Sequence, residues 1–303
     1  MSEDGKTYEA AGVSLAAAEN VVNRLRVAVE STGAESFGGF AGLYPLDDHR
    51  LLAASTDGVG TKLILAREAG RLRDAGRDLA AHCINDVLTT GATPLFLLDY
   101  VAANEIALEQ VAELVEGAAE VCREAACALV GGETAELPGI YREQELDFAG
   151  TCVGIVDRER LIDGSGIERG DAVIGWPSAG IHANGFTLVR RILEEDAYDG
   201  PDLLAPTVLY RQNVQELTER ADVRGLAHVT GGGILGNLAR VLPEGLEAAI
   251  DWDSWVRLPV FEWLAVHVDE DELRRVFNLG IGYCAVIPAA DAAQSDLVIG
   301  RIE

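Results

Sequence analysis

The stretch Ser55-Thr56-Asp57-Gly58-Val59-Gly60-Thr61-Lys62 lies between two ordered segments of the chain. The apolar run Leu51–Ala54 before it predicts a strand, and Leu63–Ala66 after it predicts the start of another element. A polar, glycine-containing segment after a buried strand is a common place for a binding loop. We therefore expect the rest of the first domain to be arranged around this stretch.

The residue types within the stretch suit a phosphate site. Gly58 and Gly60 let the backbone pass close to a ligand. Asp57 is a hard oxygen ligand that suits Mg²⁺, and Lys62 is a point charge that suits phosphate. The spacing is not that of a Walker A loop, and a strand-ending turn with ordinary surface charges explains the stretch equally well when it is taken alone.

Composition limits the class of protein. The chain has 303 residues, of which 49% are hydrophobic, enough for two domains with real cores. Its formal net charge of −26 repels nucleic acid and anionic membranes. The acidic excess is spread along the chain, and only two lysines, Lys6 and Lys62, accompany 22 arginines. We interpret this as a halophilic surface, with an acidic mesophilic protein as the alternative.

Localisation and redox state follow from similar evidence. No run of 18 apolar residues is present, and Met1–Glu9 lacks the apolar core of a signal peptide, which predicts a cytoplasmic protein. The five cysteines are odd in number and form no C-x-x-C pair, so we expect reduced thiols in the core. They are Cys83, Cys122, Cys127, Cys152 and Cys284.

Helical and strand-like periodicities alternate and predict an α/β fold in two domains. The Gly-rich and charged segment Asp163–Asp171 is the best boundary, which gives domains of residues 1–168 and 169–303. Helical patterns are predicted at 14–29, 78–88, 109–126, 186–193, 210–217, 234–241, 258–266 and 270–277. Strand patterns are predicted at 51–54, 95–102, 128–130, 146–156, 172–176, 226–229, 248–250 and 284–287.

Three carboxylates occupy the ends of these elements beside glycines or polar turns: Asp57, Asp86 and Glu133. If they converge, they form an oxygen-ligand site for Mg²⁺ on a nucleoside triphosphate. Glycine turns at 38–42, 58–60 and 131–132 would supply backbone N–H groups, and Lys62 would supply the cation. The segment Ser36–Gly42 is either a mobile flap over that ligand or a flexible turn.

Two histidines lie in or just before polar glycine turns of the second half, His182 and His228. A structural role and a catalytic role are equally supported for both. His82 lies on a predicted helix near Asp86 and is either directed toward the site or on the surface.

Five motifs in order resemble the aminoimidazole ribonucleotide synthetase superfamily. The segment Asp86–Pro94 fits its D-x4-G-A-x-P signature, and the likeness extends from about Gly33 to about Pro288. The other four motifs are Thr56–Lys62, Leu129–Gly139, Ser178–Gly185 and Ala227–Gly233. They favour the branch from which the superfamily takes its name.

The resemblance implies a fold and a reaction. Strands of two first domains would form a barrel in a homodimer, with ATP near the interface and the second α/β domain closing the cleft. The reaction would convert formylglycinamidine ribonucleotide and ATP into aminoimidazole ribonucleotide, ADP and phosphate. The formyl oxygen would take the γ-phosphoryl group before ring closure.

The resemblance also implies roles for particular residues. Mg²⁺ would be held by Asp57, Asp86 and Glu133, and phosphates by Lys62. The ATP site would include the flap glycines and the two glycine segments, namely Gly38, Gly39, Gly42, Gly58, Gly60, Thr61, Gly131, Gly132 and Thr134. The substrate's phosphate or amidine would face Ser178, His182, Asn184, Thr230, Gly231 and Gly232. We further hypothesise that His182 and His228 shuttle protons.

The chain departs from the family pattern in two places. Ala179 and Ala183 replace serines of the usual S-S-G-x-H-S-N-G motif, so no hydroxyl role is expected there. After Pro288 the family usually has a helix and a strand before its final segment, whereas here Asp291–Ser295 leads almost at once to Leu297–Ile302.

The alternatives are other superfamily members or a non-catalytic nucleotide-binding protein. Selenophosphate synthetases carry a reactive Cys or selenocysteine in the glycine loop, and Ser36–Gly42 has neither. The hydrogenase maturation protein ends in a Cys-containing tail, whereas this chain ends Arg301-Ile302-Glu303. Thiamine-monophosphate kinases are not expected to combine the motifs at 131–136 and 228–233. Retention of all three carboxylates and Lys62 argues against a degenerate site.

Overall fold

A computed structural model describes residues 6–33 and 38–303 of the chain. Ser36 and Phe37 of the predicted flap and the first five residues lie outside this description. The described residues form helices and two five-stranded sheets, which confirms the predicted α/β class. In this part of the chain, no helix is long and apolar enough to cross a membrane.

The first domain is built on a mixed sheet of strands in the order β1-β2-β5-β3-β4. All of its pairs are antiparallel except β3 with β4. Its elements, with the preceding helix α1, are α1 Leu15–Glu30, β1 Gly42–Pro45, β2 Arg50–Gly58, α2 Lys62–Glu68, α3 Leu72–Leu88, β3 Thr93–Ala103, α4 Leu108–Glu124, β4 Ala128–Glu136 and β5 Leu146–Asp157.

The two faces of this sheet differ sharply in burial. Alternate residues of β2 and β5, such as Ala53, Phe148 and Cys152, are buried beneath α3. The opposite face is open, and Leu98 and Tyr100 of β3 are exposed on it. The near-continuous apolar run at 95–102 predicts a buried strand, and this expectation is wrong for the outer face of β3 within one chain. Because strand side chains alternate between faces, each strand residue can be assigned to one face.

Two glycines allow α3 and α4 to pack backbone against backbone. A Cβ on Gly76 would lie 2.0 Å from the carbonyl oxygen of Leu114, and one on Gly117 would lie 1.9 Å from that of Arg73. Neither distance is sterically possible, so the close crossing of the two helices depends on both glycines. This packing holds α3, and with it His82 and Asp86, at a fixed height above the sheet.

The second domain contains an antiparallel sheet in the order β7-β9-β6-β10-β8. Its central strands are buried because helices and loops cover both faces. Its elements are β6 Ala172–Pro177, α5 Phe186–Leu193, α6 Arg211–Arg220, β7 Gly225–His228, α7 Gly233–Leu238, β8 Ala248–Ile250, α8 Pro259–Ala265, α9 Glu270–Val276, β9 Ile281–Ile287 and β10 Val298–Ile302.

Two expectations about local structure need comment. The predicted glycine turn at 131–132 lies inside strand β4, where the register with β3 shifts and Gly131 has a φ of 153°. This segment is a strand irregularity and not a turn, because parallel pairing with β3 continues to Glu136. After Pro288 the chain has a 3-10 turn, Ala289–Asp291, and then β10 within the final segment, so neither a helix nor a further strand precedes that segment in this part of the described chain.

The domains meet where α3 contacts the segment 205–210 of the second domain. Asp78 Oδ1 accepts hydrogen bonds from the backbone N–H (2.8 Å) and hydroxyl (2.7 Å) of Thr207. Two turns further along α3, the Asn85 amide donates to the carbonyl of Val208 (2.8 Å) and accepts from the N–H of Tyr210 (3.0 Å). Buried polar groups need such partners, so these bonds fix the second domain against α3.

Candidate functional site

Asp57 is the last inward-facing residue of β2 and meets α3 there. Its Oδ2 lies 3.1 Å from Nδ1 of the buried His82, and its Oδ1 accepts a bond of 2.7 Å from the N–H of Gly58. Loss of hydration acts to raise the pKa of Asp57, but the bond and charge of His82 outweigh it and the pKa is lowered. Burial acts to lower the pKa of His82, but the hydrogen bond and negative charge of Asp57 outweigh burial. The pKa of His82 is therefore raised. The pair therefore favours a carboxylate beside an imidazolium.

Asp86 lies one turn further along α3 and forms a second carboxylate–histidine pair. Its Oδ1 is 2.8 Å from Nδ1 of His228, at the end of β7, and its Oδ2 accepts a bond of 2.9 Å from the Ser55 hydroxyl. Burial lowers the pKa of His228 more than Asp86 raises it, so this imidazole is neutral. Because a carboxylate only accepts, Nδ1 of His228 carries the proton and Nε2 keeps its lone pair.

The two pairs are in contact, since the rings of His82 and His228 lie 5.0 Å apart at 71°. Four buried polar atoms around them have no hydrogen-bond partner in the protein: Nε2 of His82, Nε2 of His228, Nδ1 of His182 and Nδ2 of Asn184. Buried polar groups are normally satisfied, so such a group of atoms is typical of a site completed by a ligand. The four atoms come from both domains.

His182 and Ser178 belong to the turn between β6 and α5. His182 is buried with a φ of 66°, and its Nε2 has a long contact of 3.5 Å with the N–H of Val208. Burial lowers the pKa of His182 well below its usual value, so it is neutral. The Ser178 hydroxyl bonds the carbonyl of Gly180 (2.9 Å) and Oδ1 of Asn278 (3.0 Å). The structure thus places Ser178 in the support of the turn.

The second glycine turn of this domain lies beside the first. A Cβ on Gly231 would be 3.7 Å from Oδ1 of Asn184, which brings the two predicted substrate segments together. The amide of Asn237 bonds the carbonyls of Thr230 (3.3 Å), Gly231 (3.4 Å) and Gly233 (2.8 Å) and holds the turn in shape. Gly232 has a φ of 106°, which a side chain rarely adopts.

Lys62, expected to hold phosphate, is in a buried ion pair. Its side chain is 1% exposed, and its Nζ lies 2.7 Å from Oδ2 of Asp78 and 2.9 Å from the carbonyl of Ala205. Burial lowers the pKa of Lys62, and Asp78 acts in the opposite direction. Lys62 therefore joins α2 to α3 and to the second domain, and in this arrangement its ammonium is not available to a ligand. Nearby, the Thr61 and Thr187 hydroxyls lie 3.0 Å apart.

Glu133 does not join Asp57 and Asp86 within one chain. It pairs in register with Tyr100, whose side chain is on the open face of the sheet, whereas Asp57 is on the covered face. Strands β5 and β3 also separate β4 from β2, a backbone distance of about 14 Å. Gly131 and Thr134 lie on the same edge strand, and the described residues contain no cluster of three or more metal-ligating side chains.

Asp57 and Asp86 remain as candidate ligands for Mg²⁺. Their side chains are 36% and 13% exposed, so both carboxylates reach solvent. Mg²⁺ keeps several waters and is commonly bound by one or two carboxylates plus substrate phosphates. Two aspartates with partly exposed side chains fit that chemistry without a third acid.

Sequence patterns did not identify Arg240, which follows α7. Its Nη2 donates a 2.7 Å hydrogen bond to the carbonyl of Gly39, and its guanidinium lies 3.8 Å from the ring centre of Phe40. These contacts fix the described part of the flap, 38–42. The sequence contained no periodic or spacing signal for this contact, because 201 positions separate Gly39 from Arg240.

A cavity of about 740 Å³ lies elsewhere, at the opposite end of β2. Arg50, Pro94 and Arg211 line it, together with Gly91 and Ala92 of the signature segment. The signature residues after Asp86 therefore terminate α3 and begin β3, and only Asp86 contributes to the paired-carboxylate site.

The chain matches known proteins over most of its length. Residues 38–156 match the N-terminal domain, and residues 168–299 the C-terminal domain, of the AIR synthase related proteins. The chain is 47% identical to a phosphoribosylformylglycinamidine cyclo-ligase of a Synechococcus species, with 93% of this chain and 88% of that protein covered. It is 43% identical to the chloroplastic phosphoribosylformylglycinamidine cyclo-ligase of Arabidopsis thaliana, with 96% and 77% covered.

Solved structures confirm the fold at greater distance. Thiamine monophosphate kinase of Aquifex aeolicus superposes with a TM-score of 0.66 at 15% identity, with 96% of each chain covered. The hydrogenase maturation protein HypE superposes with a TM-score of 0.63 at 19% identity, with 86% of this chain and 82% of that chain covered. At such identities the likeness concerns the fold alone, whereas the curated relatives share nearly half of the residues. The chain belongs to the AIR synthase related proteins and, within them, to the family of phosphoribosylformylglycinamidine cyclo-ligases.

Proposed function

We propose that the chain catalyses the ATP-dependent ring closure of formylglycinamidine ribonucleotide to aminoimidazole ribonucleotide, with release of ADP and phosphate, in purine biosynthesis. Membership in the cyclo-ligase family supports this activity. The structural observation that carries it is the meeting of the Asp57–His82 and Asp86–His228 pairs beside unpartnered atoms from both domains.

The nucleotide would lie against Asp57 and Asp86, which would hold Mg²⁺ on its phosphates. When bound, the ion neutralises charge on the phosphates during transfer. A Cβ on Gly60 would meet nothing within 4 Å, so the backbone at Gly60 is open to a ligand near Asp57. The flap at 38–42 would exclude water above the nucleotide, since Phe40 is already buried there.

Ring closure requires movement of a proton, and the structure favours His228 as the group that accepts it. The formyl oxygen attacks the γ-phosphorus and ADP leaves. The amidine nitrogen then attacks the formyl carbon, loses a proton, and phosphate leaves. A neutral imidazole with its Nδ1 proton directed at Asp86 and its Nε2 free is arranged to take that proton. His182 is neutral as well, so it is the second candidate.

The substrate's phosphate or amidine would be bound by the two neighbouring turns of the second domain. Nδ2 of Asn184 is a buried donor without a partner, and Thr230, Gly231 and Gly232 form the adjacent turn. Ser178 would act indirectly, because both of its hydrogen bonds support the His182 turn. The substrate would thus lie between the turns and the carboxylates.

We also propose a homodimer formed through the open face of the first sheet. Tyr44, Leu98, Tyr100 and Val130 are exposed on strands β1, β3 and β4, and a monomer would leave this apolar surface in water. Glu133 belongs to the same strands, so it would face the second copy and not the magnesium site of its own chain. Its predicted role as a metal ligand is therefore a proposal for the dimer alone.

Three further proposals rest on the sequence. The domain boundary lies near residues 168–169, in the segment between β5 and β6. The net charge of −26 and the near absence of lysine favour a halophilic source. A cytoplasmic location agrees with reduced thiols, since all five cysteines are free and buried.

A coupled assay of ADP release tests the activity. Formylglycinamidine ribonucleotide should trigger ADP release and the appearance of aminoimidazole ribonucleotide, which a diazotisation reagent detects. Thiamine monophosphate, added in its place, should release none. ADP release with thiamine monophosphate, or none with formylglycinamidine ribonucleotide at low and high salt, would overturn the proposal.

A further inference from the structure

The flap is held by a side chain from the other domain. Arg240 follows α7, and its Nη2 bonds the carbonyl of Gly39 at 2.7 Å while its guanidinium stacks 3.8 Å from the ring centre of Phe40. A planar guanidinium can make both contacts at once, because its N–H groups point outward in the plane while its face lies on the ring. The two contacts therefore constrain the position and the orientation of the flap.

Phe40 itself lies in the core of the second domain. It is 8% exposed and belongs to a buried apolar cluster with Val229, Ile234 and Leu238. Among the described residues before 168, Phe40 and Ile167 are the buried members of this cluster, and Ile167 lies at the domain boundary. Because Arg240 covers the ring of Phe40, it closes the cluster against solvent. The residue that anchors the flap, Arg240, is thus separated from Gly39 by 201 positions in the sequence.

The charge of Arg240 also interacts electrostatically with the two site carboxylates. Loss of hydration lowers the pKa of its guanidinium, and the carboxylates of Asp86 and Asp57 act in the opposite direction. Lys62 is committed to Asp78, so it does not offset the two site carboxylates. Arg240 is thus placed to connect the flap, the second domain and the electrostatics of the site.

We propose that Arg240 is a positioning residue that clamps the flap, residues 38–42, onto the second domain and so sets the affinity of the site for the ATP phosphates. The affinity part of this proposal rests on the proposed function. The clamp itself does not, since the contacts of Arg240 with Gly39 and Phe40 involve protein atoms alone.

Hydrogen–deuterium exchange of the free protein tests the clamp directly. In Arg240→Ala we expect amides of residues 39–43 to exchange about tenfold faster than in the wild type, because a hydrogen bond and a cation–π contact are both lost. Arg240→Lys should restore only part of the protection, since an ammonium cannot stack and bond in the same way. Arg169→Ala, at an exposed arginine of the interdomain segment, is the matched control and should exchange like the wild type.

Calorimetric titration with a non-hydrolysable ATP analogue and Mg²⁺ tests the consequence. Arg240→Ala should bind the analogue about tenfold more weakly, and its KM for formylglycinamidine ribonucleotide should change less than twofold. Phe40→Ala should weaken binding of the analogue to the same extent. The double variant should bind the analogue no more weakly than either single variant, because both substitutions remove the same clamp.

The outcomes separate the two proposals. Wild-type exchange at residues 39–43 in Arg240→Ala would overturn the clamp whatever the enzyme catalyses. Faster exchange with unchanged binding of the analogue would overturn the effect on ATP. Absence of ADP release by the wild-type protein would instead refute the proposed function and leave the exchange result to decide the clamp.

Discussion

The ammonium of Lys62 lies 2.7 Å from the Asp78 carboxylate, and the two side chains are 1% and 0% exposed. Lys62 begins α2, Asp78 lies in α3, and the carbonyl of Ala205 and the N–H of Thr207 complete the group from the second domain. A buried ion pair with these hydrogen bonds joins three elements at one point. The lysine that composition suggested as a phosphate ligand is instead an internal link between the domains.

We expect Lys62→Ala to destabilise the fold by about 3–5 kcal/mol, because it leaves the Asp78 carboxylate buried without its counter-charge. Urea unfolding followed by circular dichroism measures this loss. The double variant Lys62→Met with Asp78→Asn should recover most of it, since no unpaired charge remains. Lys62→Ala with wild-type stability and a loss of turnover alone would return Lys62 to the catalytic site.

Replacing Asp86 by Asn should weaken the site without disturbing its geometry. The amide oxygen can still accept from one of Ser55 and His228, but the negative charge is lost. We expect the Mg²⁺ concentration for half-maximal activity to rise at least tenfold and kcat to fall by about 10²-fold, because His228 also loses its ionic partner. Ser55→Ala is the control that removes a hydrogen bond to the same carboxylate and keeps the charge. Equal Mg²⁺ dependence of Asp86→Asn and wild type would contradict the metal assignment.

Acidification should destabilise the protein through His182. Because burial lowers its pKa, the unfolded chain binds a proton below about pH 6.5 that the folded chain excludes. The free energy of unfolding therefore decreases as the pH decreases in this window, by up to about 1.4 kcal/mol per pH unit for one such group. His228 acts in the same direction, and His82, whose pKa is raised, acts in the opposite one.

The variant His182→Asn isolates this contribution, since Asn tolerates the φ of 66° better than most residues. Its free energy of unfolding should fall less steeply than that of the wild type between pH 6.5 and pH 5. The difference in the free energy of unfolding between the wild type and His182→Asn, measured with urea, should thus become smaller as the pH decreases. Parallel pH profiles would show that His182 is protonated in the folded state.

The open face of the first sheet should carry the dimer contact. Tyr100→Asp places a charge on this face, and we expect sedimentation equilibrium to show a dimer for the wild type and a monomer for the variant at the same concentration. Leu108→Asp is the matched control, because Leu108 is more exposed but begins α4, on the helix side of the sheet. Loss of the dimer in Leu108→Asp, or its retention in Tyr100→Asp, would place the interface elsewhere.

The crossing of α3 and α4 should not tolerate a single methyl group. Gly117→Ala would put Cβ 1.9 Å from the carbonyl oxygen of Arg73, so the helices must separate, and we expect a loss of about 2–4 kcal/mol in urea unfolding. Gly236→Ala, in α7, meets nothing within 4 Å and should instead stabilise by up to about 1 kcal/mol. An unchanged free energy of unfolding in Gly117→Ala would mean that α3 and α4 pack less closely than the structure shows.

Much of the chain's local structure could be read from its sequence. The apolar periodicities located α1, α4, α5, α8 and α9 to within about two residues, because each helix buries one continuous face. The strand pattern at 95–102 likewise predicts β3, which extends from Thr93 to Ala103. The sequence also predicts Asp57, Asp86, His182 and His228 as site candidates, because polar residues at the ends of buried elements have few structural reasons to be there.

Other features depend on contacts between distant segments. The sequence could not show that Lys62 meets Asp78 or that Arg240 meets Gly39, because neither pair shares a helix or a strand. Its glycine setting and the family resemblance both group Glu133 with Asp57 and Asp86. Strand order and face then separated them, and no local pattern contains that information.

By itself, the sequence determined which segments form helices and strands and which polar residues are available at their ends. These properties follow from hydrophobic periodicity and local backbone chemistry, which act over a few residues. The tertiary structure alone decided which of those residues share a site. It buried Lys62 with Asp78, paired Asp57 with His82 and Asp86 with His228, and directed Glu133 to the opposite face. The physical reason is that partners for buried charges are chosen by packing across the whole fold, and not by separation along the chain.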